Sequence, residues 1–382
     1  MSDPSCAAPS SAPTHRLLPS PAGRIHLVEQ GSGPLVLLLH GFPESWYAWR
    51  HQMAALASAG YRAVAIDVRG YGRSSKPEAV EAYRMLDLIA DNVAVVEGLG
   101  ERSAVVVGHD WGATIAAMST LTRPDVFRAV GLLGVPYTPP GGPRPSEVFA
   151  RMSGAGAEGP GADGAGADGP GTGDEPGAEP GAGRSEAGSS GVHPHPDSPL
   201  HPHPHPQEFY ISYFQQPGRA EAEMEPDVRG WLAGFYAALS ADTMPAPGAP
   251  DPHFTGAGGT LRERFPVGVL PSWLGEGDLD VYAGEFERTG MTGALNRYRN
   301  MDRDWADLAD WAGRPITRPS LFIGGERDAS LAWLADAVEA YPETLPGLLG
   351  SHILDGCGHF VQQERPEETN RILLDWLASL PA

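Results

Sequence analysis

The sequence predicts an α/β protein with a mostly parallel sheet, helices on both faces, and a helical segment inserted between the two halves of the sheet domain. Short apolar runs alternate with helix-like stretches from residue 24 to residue 135, which is typical of a parallel, doubly wound sheet. This alternation stops at residue 153, where a low-complexity segment begins, and it returns after residue 315. The two alternating regions are therefore interpreted as halves of one sheet domain.

Charge and composition limit the classes of partner. The chain has 382 residues and a formal net charge of -21, which argues against nucleic acid or an anionic membrane surface. Cys6 and Cys357 are too few for a disulfide framework. Neither a membrane-spanning run nor the layout of a signal peptide is apparent. We therefore expect a soluble cytoplasmic protein, either a monomer or a homodimer, with no nucleic-acid or membrane partner.

The first half of the core is assigned to residues 21–152, after a tail over residues 1–20 that is rich in Ser, Pro and Ala and is predicted to be disordered. Residues 24–29 predict an antiparallel strand, and residues 34–39 form a continuous apolar run, as in a strand buried on both faces. A turn at residues 40–44 leads to a helix over 53–59. A strand at 62–67, a helix at 85–98, a strand at 105–107, a helix at 111–121 and a strand at 129–135 follow.

Asp110 stands at the point where the strand at 105–107 turns into the next helix. Gly108 and Gly112 lie two positions before and after it, which is the spacing of a nucleophile elbow. A carboxylate is ionised at neutral pH and needs no base to become nucleophilic. Attack on a carbonyl would give a reactive anhydride, whereas attack on a saturated carbon gives a stable alkyl ester. The elbow thus favours displacement at carbon, although Asp110 as a simple helix cap remains an alternative.

Residues 153–206 consist mainly of Gly, Ala, Pro, Asp and Glu, and this composition predicts a disordered insertion. The His–Pro run at 201–206 could bind a metal, but its prolines and isolation favour a solvated linker, so neither a metal nor a cofactor is predicted. Residues 207–312 are predicted to form a helical lid. Its aromatic side chains, at positions 231, 235, 265 and 273, either line an apolar pocket or form the lid's own core.

The second half of the core, residues 313–382, supplies two acid–base candidates. A strand at 320–324, a helix at 331–341, a strand near 352–354 and a helix at 366–380 are predicted. Asp328 follows the first of these strands, and His359 lies in the loop before the last helix. The order nucleophile, acid, base matches the chain order of an elbow-based triad. Asp328 as a helix cap, His359 as a surface residue and Glu326 as the acid are the weaker alternatives.

Five short motifs carry a resemblance to a known family: residues 40–43, 108–112, 210–218, 296–301 and 356–359. With them the chain resembles the epoxide hydrolases of the α/β-hydrolase family, and it is similar to the plant soluble enzymes and to the hydrolase domain of mammalian soluble epoxide hydrolase. The resemblance covers residues 17–380 except 153–206. It implies an α/β-hydrolase fold, conversion of a small apolar epoxide and water to a vicinal diol, and no cofactor.

The resemblance also implies a role for each matching position. Asp110 would attack a ring carbon and form an ester, while Tyr210 and Tyr298 hydrogen-bond the epoxide oxygen and supply a proton. His359, oriented by Asp328, would then activate the hydrolytic water.

The backbone N–H groups of Phe42 and Trp111 would form the oxyanion hole. The side chains of these two residues and of the two tyrosines would bind the substrate.

Four further residues lie near these positions. Tyr213 is interpreted as a packing residue and His109 as a structural neighbour of the elbow. Pro43 matches a family position with a cis peptide bond. Glu44 resembles a residue tied to the water network, with an exposed surface role as the alternative.

Two other functions are weighed. A haloalkane or haloacid dehalogenase shares the elbow aspartate, the acid and the histidine, but it needs halide donors where this chain has paired phenols. A non-catalytic relative would have a broken triad or oxyanion turn, and here every part is intact. Epoxide hydrolysis is therefore the predicted function.

Overall fold

A computed structural model of the chain describes residues 12–153, 207–246, 248–256 and 258–381. Most of the predicted disorder, at residues 1–11 and 154–206, lies outside the described residues, and so does the His–Pro run. Within the part of the chain that is described, no helix combines the length and apolar character needed to cross a membrane.

The described residues form an eight-stranded sheet in the order β1-β2-β4-β3-β5-β6-β9-β10. β1 pairs antiparallel with β2, and β2 pairs antiparallel with β4, whereas the remaining pairs are parallel. Its strands are β1 (Thr14–Ser20), β2 (Gly23–Gln30), β3 (Leu35–Leu39), β4 (Arg62–Ile66), β5 (Ala104–His109), β6 (Phe127–Leu133), β9 (Ser320–Gly325) and β10 (Leu348–Leu354). A separate antiparallel pair joins β7 (Glu208–Phe209) to β8 (Phe254–Thr255). The predicted mostly parallel sheet is confirmed.

Helices flank the sheet and build the inserted segment. The core helices are α1 (Arg50–Ser58), α2 (Met85–Gly98), α3 (Trp111–Thr122), α11 (Ala329–Trp333), α12 (Ala335–Glu339), α13 (Tyr341–Thr344), α14 (Val361–Glu364) and α15 (Pro366–Ser379). The helical insertion holds α4 (Pro145–Met152), α5 (Tyr210–Gln215), α6 (Arg219–Met224), α7 (Val228–Leu239), α8 (Glu276–Thr289), α9 (Thr292–Tyr298) and α10 (Met301–Asp307). Single 3₁₀ turns lie at Trp46–Trp49, Val80–Tyr83, Glu225–Asp227, Arg262–Arg264 and Ala309–Trp311.

The predicted disordered tail over residues 1–20 is wrong at its C-terminal end, because residues 14–20 form β1. This strand pairs with β2 along its whole length, from Thr14 opposite Glu29 to Ser20 opposite Gly23. Pro19 is tolerated because β1 is an edge strand. Leu18 is only 8% exposed and packs into the core. One buried apolar residue among polar neighbours gave too weak an alternation to be recognised from the sequence.

Two further boundaries differ from the prediction. The helix expected over 331–341 is divided into α11, α12 and α13. Leu334 leaves helical geometry, and α13 begins anew at Tyr341, with Pro342, which has no backbone N–H to donate, in its first turn. The core half predicted to end at residue 152 ends before α4, because α4 packs on the insertion. Asp302 of α10 accepts hydrogen bonds from Arg144 and from the backbone N–H of Ser146.

The central strands are buried on both faces, as their continuous apolar sequence predicts. Alternate residues of β3 enter opposite clusters, Leu35, Leu37 and Leu39 on one face and Val36 and Leu38 on the other. The second cluster contains residues of α1 and α15, whereas the first contains residues of α2, α3 and the insertion. This packing on both sides fixes the strand ends at which the candidate site is built.

Candidate functional site

The turn between β5 and α3 has the geometry of an elbow. Asp110 has φ 53° and is the single non-glycine residue with positive φ within the described ranges. A Cβ atom on Gly108 would lie 2.0 Å from the carbonyl oxygen of Gly112, and a Cβ on Gly112 would lie 2.0 Å from that of Leu39. Only glycine fits at these two positions, so the backbone can turn sharply and project the Asp110 side chain.

The Asp110 carboxylate points into the site and does not cap α3. Its Oδ1 accepts a hydrogen bond from the Phe42 backbone N–H at 2.8 Å, and its Oδ2 lies 3.6 Å from Nε2 of His359. Burial acts to raise the pKa of this carboxyl, but the attraction to His359 and the Phe42 N–H outweigh burial and lower the pKa below its usual value. Asp110 is therefore ionised at neutral pH.

His359 lies between two carboxylates. Its Nδ1 is 2.9 Å from Oδ2 of Asp328, while Oδ1 of Asp328 accepts from the backbone N–H of Ser330 and caps α11. Asp328 can thus be the partner of His359 and the cap of α11 at the same time. Burial lowers the pKa of His359, but Asp328 and Asp110 outweigh it, and the pKa is raised well above its ordinary value. Glu326 is exposed and accepts instead from the Gly356 N–H.

Two phenols of the insertion, the half-buried Tyr210 and the buried Tyr298, face the same carboxylate. Tyr210 begins α5 and Tyr298 ends α9, and their ring centroids are 6.1 Å apart. Burial raises the pKa of both phenols, and the negative charge of Asp110 raises it further. Both are therefore neutral and able to donate. Tyr213 points elsewhere and donates its hydroxyl hydrogen to Glu223, in agreement with the packing interpretation.

Phe42 and Trp111 lie at the ends of the two adjacent central strands. The Phe42–Pro43 peptide is cis, in agreement with the resemblance. Trp111 is the first residue of α3, and its ring packs edge to face on Tyr298 with centroids 5.2 Å apart. The Phe42 ring contacts Tyr298 in the same way, at 5.4 Å. The insertion thus packs directly on the two turns that carry the backbone N–H groups of Phe42 and Trp111.

A buried polar cluster joins the turns behind the site. Nδ1 of His109 lies 2.9 Å from Glu44, and Nε2 lies 2.8 Å from the backbone oxygen of His359. Glu44 also accepts from Gln362 and Gln363 and is 1% exposed. The exposed-surface interpretation of Glu44 is therefore wrong. Because both ring nitrogens of His109 face oxygen atoms, the ring bridges the elbow to the His359 loop, as its interpretation as a structural neighbour predicts.

Two cavities meet at Asp110. The larger has a volume of about 340 Å³ and lies among α3, α4, α5 and α11, and the smaller has about 40 Å³. Asp110, Tyr210 and Trp333 line both of them. Phe235 and Phe265 of the insertion line the smaller cavity, whereas Trp231 is fully buried in the core of the insertion.

The structure brings all seven sequence-predicted site residues together: Phe42, Asp110, Trp111, Tyr210, Tyr298, Asp328 and His359. Sequence reasoning missed Trp333 and His253, which line the smaller cavity and pack on each other with ring centroids 4.6 Å apart. His253 lies in an irregular turn and Trp333 ends the five-residue helix α11, so neither position carried a sequence signal that pointed to the site. In the described part of the chain, no cluster of three or more His, Cys, Asp or Glu residues is arranged to hold a metal ion.

Comparison with known proteins places this geometry in a family. A family model for the alpha/beta hydrolase fold matches residues 34–161. Epoxide hydrolase B of Mycobacterium tuberculosis is 38% identical over 400 aligned positions, which cover 96% of this chain and 98% of that protein.

Two solved structures are similar over almost the whole chain. An epoxide hydrolase from an endophytic Streptomyces has 57% identity and a TM-score of 0.81, covering 96% of this chain and 95% of its own. Epoxide hydrolase A from Mycobacterium thermoresistibile has 36% identity and a TM-score of 0.78, covering 97% of this chain and 99% of its own. With relatives of this similarity across its length, the chain belongs to the epoxide hydrolase family of proteins with the α/β-hydrolase fold.

Proposed function

We propose that the protein converts epoxides and water to vicinal diols through a covalent ester on Asp110. One observation carries the proposal: an ionised carboxylate at the elbow shares a small cavity with two neutral phenols, the half-buried Tyr210 and the buried Tyr298. A nucleophile for carbon and acids for the opened oxygen are the groups that ring opening needs.

In the first step, an oxygen of Asp110 forms a bond to one ring carbon. The bond from that carbon to the epoxide oxygen breaks, and its electron pair stays on the oxygen. Tyr210 and Tyr298 hydrogen-bond this oxygen, and one of them supplies the proton that completes the hydroxyl group.

Ester formation changes the electrostatics of the site because it neutralises Asp110. The negative charge of Asp110 raises the pKa of both phenols and of His359. Its loss makes the phenols more acidic while the epoxide oxygen needs a proton, and it lowers the pKa of His359 so that the imidazole can act as a base. The reaction of Asp110 in the first step thereby prepares His359 to act as the base in the second step.

Before the second step, the His359 imidazolium returns a proton, through solvent, to the phenolate left by ring opening. The neutral imidazole then takes a proton from water, and the water oxygen bonds to the ester carbonyl carbon of Asp110. The tetrahedral oxyanion accepts hydrogen bonds from the N–H groups of Phe42 and Trp111. Its collapse breaks the bond from the carbonyl carbon to the alkyl oxygen, which takes the proton back from His359 and leaves as the diol. The Asp110 carboxyl then loses its proton to His359, and the resting state returns. Phe42 N–H already donates to Asp110 in the resting geometry, which supports this role.

The alternative, a dehalogenase, would use the same nucleophile with donors for a halide ion. The ring of Trp111, a candidate donor beside Asp110, packs edge to face on the phenol of Tyr298. The paired phenols therefore favour the epoxide over an alkyl halide.

The proposal is tested by incubating the protein with styrene oxide and, separately, with 1-chlorohexane, and by measuring diol and chloride. Diol without chloride is expected. Replacing both Tyr210 and Tyr298 with Phe should lower diol formation by about 100-fold or more, the usual contribution of a positioned acid. Tyr213→Phe is the matched control, because its hydroxyl contacts Glu223 outside the site, and it should keep the original rate. Chloride release without diol would instead establish a dehalogenase.

A further inference from the structure

Arg297 is a buried cation directly before Tyr298 in α9. It is 3% exposed and is not among the residues that line the two cavities at Asp110. A buried charge is costly unless its surroundings compensate for it. The contacts of this guanidinium therefore indicate what it does.

Two nitrogens of Arg297 are anchored, one within the insertion and one on the core. Nη2 pairs with the carboxylate of Asp304, and Nη1 donates to the backbone oxygen of Tyr83. Asp304 is fixed in turn, since it accepts from the Met85 backbone N–H at 2.7 Å. Nε is buried and has no hydrogen-bond partner among the residues that the structure describes. The ion pair and the hydrogen bond therefore satisfy two of the three guanidinium nitrogens and leave Nε unsatisfied.

The guanidinium also lies over an aromatic ring of the site. Its central carbon is 4.8 Å from the ring centroid of Trp111, within the range of a cation–π interaction. The indole of Trp111 in turn packs edge to face on the phenol ring of Tyr298, with ring centroids 5.2 Å apart. A cation on the face of the indole restrains that ring and brings a positive charge within one ring of the Tyr298 phenol. One continuous chain of contacts thus runs from Arg297 through Trp111 to the ring of Tyr298.

We propose that Arg297 is a positioning residue that acts through Trp111 to fix the Tyr298 hydroxyl and to stabilise the negative charge that develops there during ring opening. The inference rests on the proposed epoxide hydrolysis, because it concerns the step in which Tyr298 assists the epoxide oxygen. It assigns no contact with the substrate to Arg297. Its contribution grows with the basicity of the opened oxygen, since a more basic oxygen takes more of the proton from Tyr298.

The test compares two terminal epoxides, 1,2-epoxybutane and 3,3,3-trifluoro-1,2-epoxypropane. The fluorines make the opened oxygen a weaker base that needs less help from the acid. Arg297→Gln removes the cation and keeps a donor for Asp304. Ester formation in a single turnover should fall about tenfold for epoxybutane and less than about threefold for the fluorinated epoxide, within the range of acid catalysis. The rate of ester hydrolysis should stay unchanged.

Three further variants separate this role from a structural one. Arg297→Lys keeps a cation near the ring and should recover most of the lost rate. Should Arg297→Gln fail to fold, the double variant R297M/D304N removes both charges of the pair and gives the same comparison. The matched control is R299M/E221Q, because Arg299 forms a similar buried pair with Glu221 and bonds Phe214 and Asn296 rather than Trp111.

Each outcome decides the inference. Equal losses on both epoxides, or the same selective loss in R299M/E221Q, would show that Arg297 has only a structural role and would overturn the proposal. An unmodified protein that forms no ester with either epoxide would instead refute the proposed function, and this inference with it.

Discussion

At the scale of single residues, the charge of Asp110 adds to burial and to Asp328 in shifting the pKa values of its partners. Asp110 is held ionised, and its charge helps to raise the pKa of His359 and of both phenols. In the proposed mechanism His359 is therefore protonated in the free protein, where its charge stabilises the Asp110 carboxylate. It would act as a base only after ester formation has neutralised Asp110.

The hydrolytic half-reaction should therefore depend on pH through His359. Only the neutral imidazole accepts a proton, so the rate of ester hydrolysis should rise about tenfold per pH unit until the pKa of His359 in the ester is passed, and then level off. Ester formation should change little over the same range, because the pKa of Asp110 lies far below it. Rapid-quench measurements at a series of pH values follow the two rates separately.

A substitution of Asp328 is the control for this prediction. Its charge raises the pKa of His359, so Asp328→Asn should move the inflection of ester hydrolysis to lower pH while slowing the reaction. An inflection that stays in place in this variant would mean that a different group titrates.

At the scale of elements, the helices around Asp110 create cavities of unequal size. α3, α4, α5 and α11 enclose about 340 Å³ on one side of Asp110, whereas the other cavity that Asp110 lines, among aromatic residues of the insertion, has about 40 Å³. If the protein acts on epoxides as proposed, this arrangement favours an epoxide with one apolar substituent over one with two large substituents.

We therefore expect kcat/KM for styrene oxide to exceed that for trans-stilbene oxide by at least about tenfold, the cost of a poorly accommodated apolar group. Phe265→Ala enlarges the smaller cavity and should reduce this ratio. Phe149→Ala, in the larger cavity, is the control and should leave the ratio unchanged. A ratio near unity in the original protein would contradict the unequal cavities.

Sequence patterns predicted the elements best where burial on both faces imposed them. The apolar runs of β3 and β5 and the glycines around Asp110 left little freedom, so strand, elbow and helix were located correctly. β1 was missed because an edge strand needs only one buried apolar residue, Leu18. Its pairing with β2 depends on a long-range register that local composition does not contain.

At the scale of the whole molecule, the site is assembled from both halves of the sheet domain and from the insertion. Residues far apart in the sequence become neighbours, such as Glu44 with Gln362 and Gln363. A buried amide has no recognisable sequence signal, because its role depends on the carboxylate that the fold brings to it. The same is true of Arg297, whose contact with Trp111 arises only when the insertion packs on the core.

The most direct test of the central claim, a covalent ester on Asp110, is a single turnover of styrene oxide in oxygen-18 water with the protein in excess. The account predicts that the first diol carries no heavy oxygen, because its new oxygen comes from Asp110. Mass spectrometry should find the label in the carboxylate of the peptide that contains Asp110. Heavy oxygen in the first diol, with an unlabelled Asp110, would show that water attacks the epoxide directly and would contradict the account.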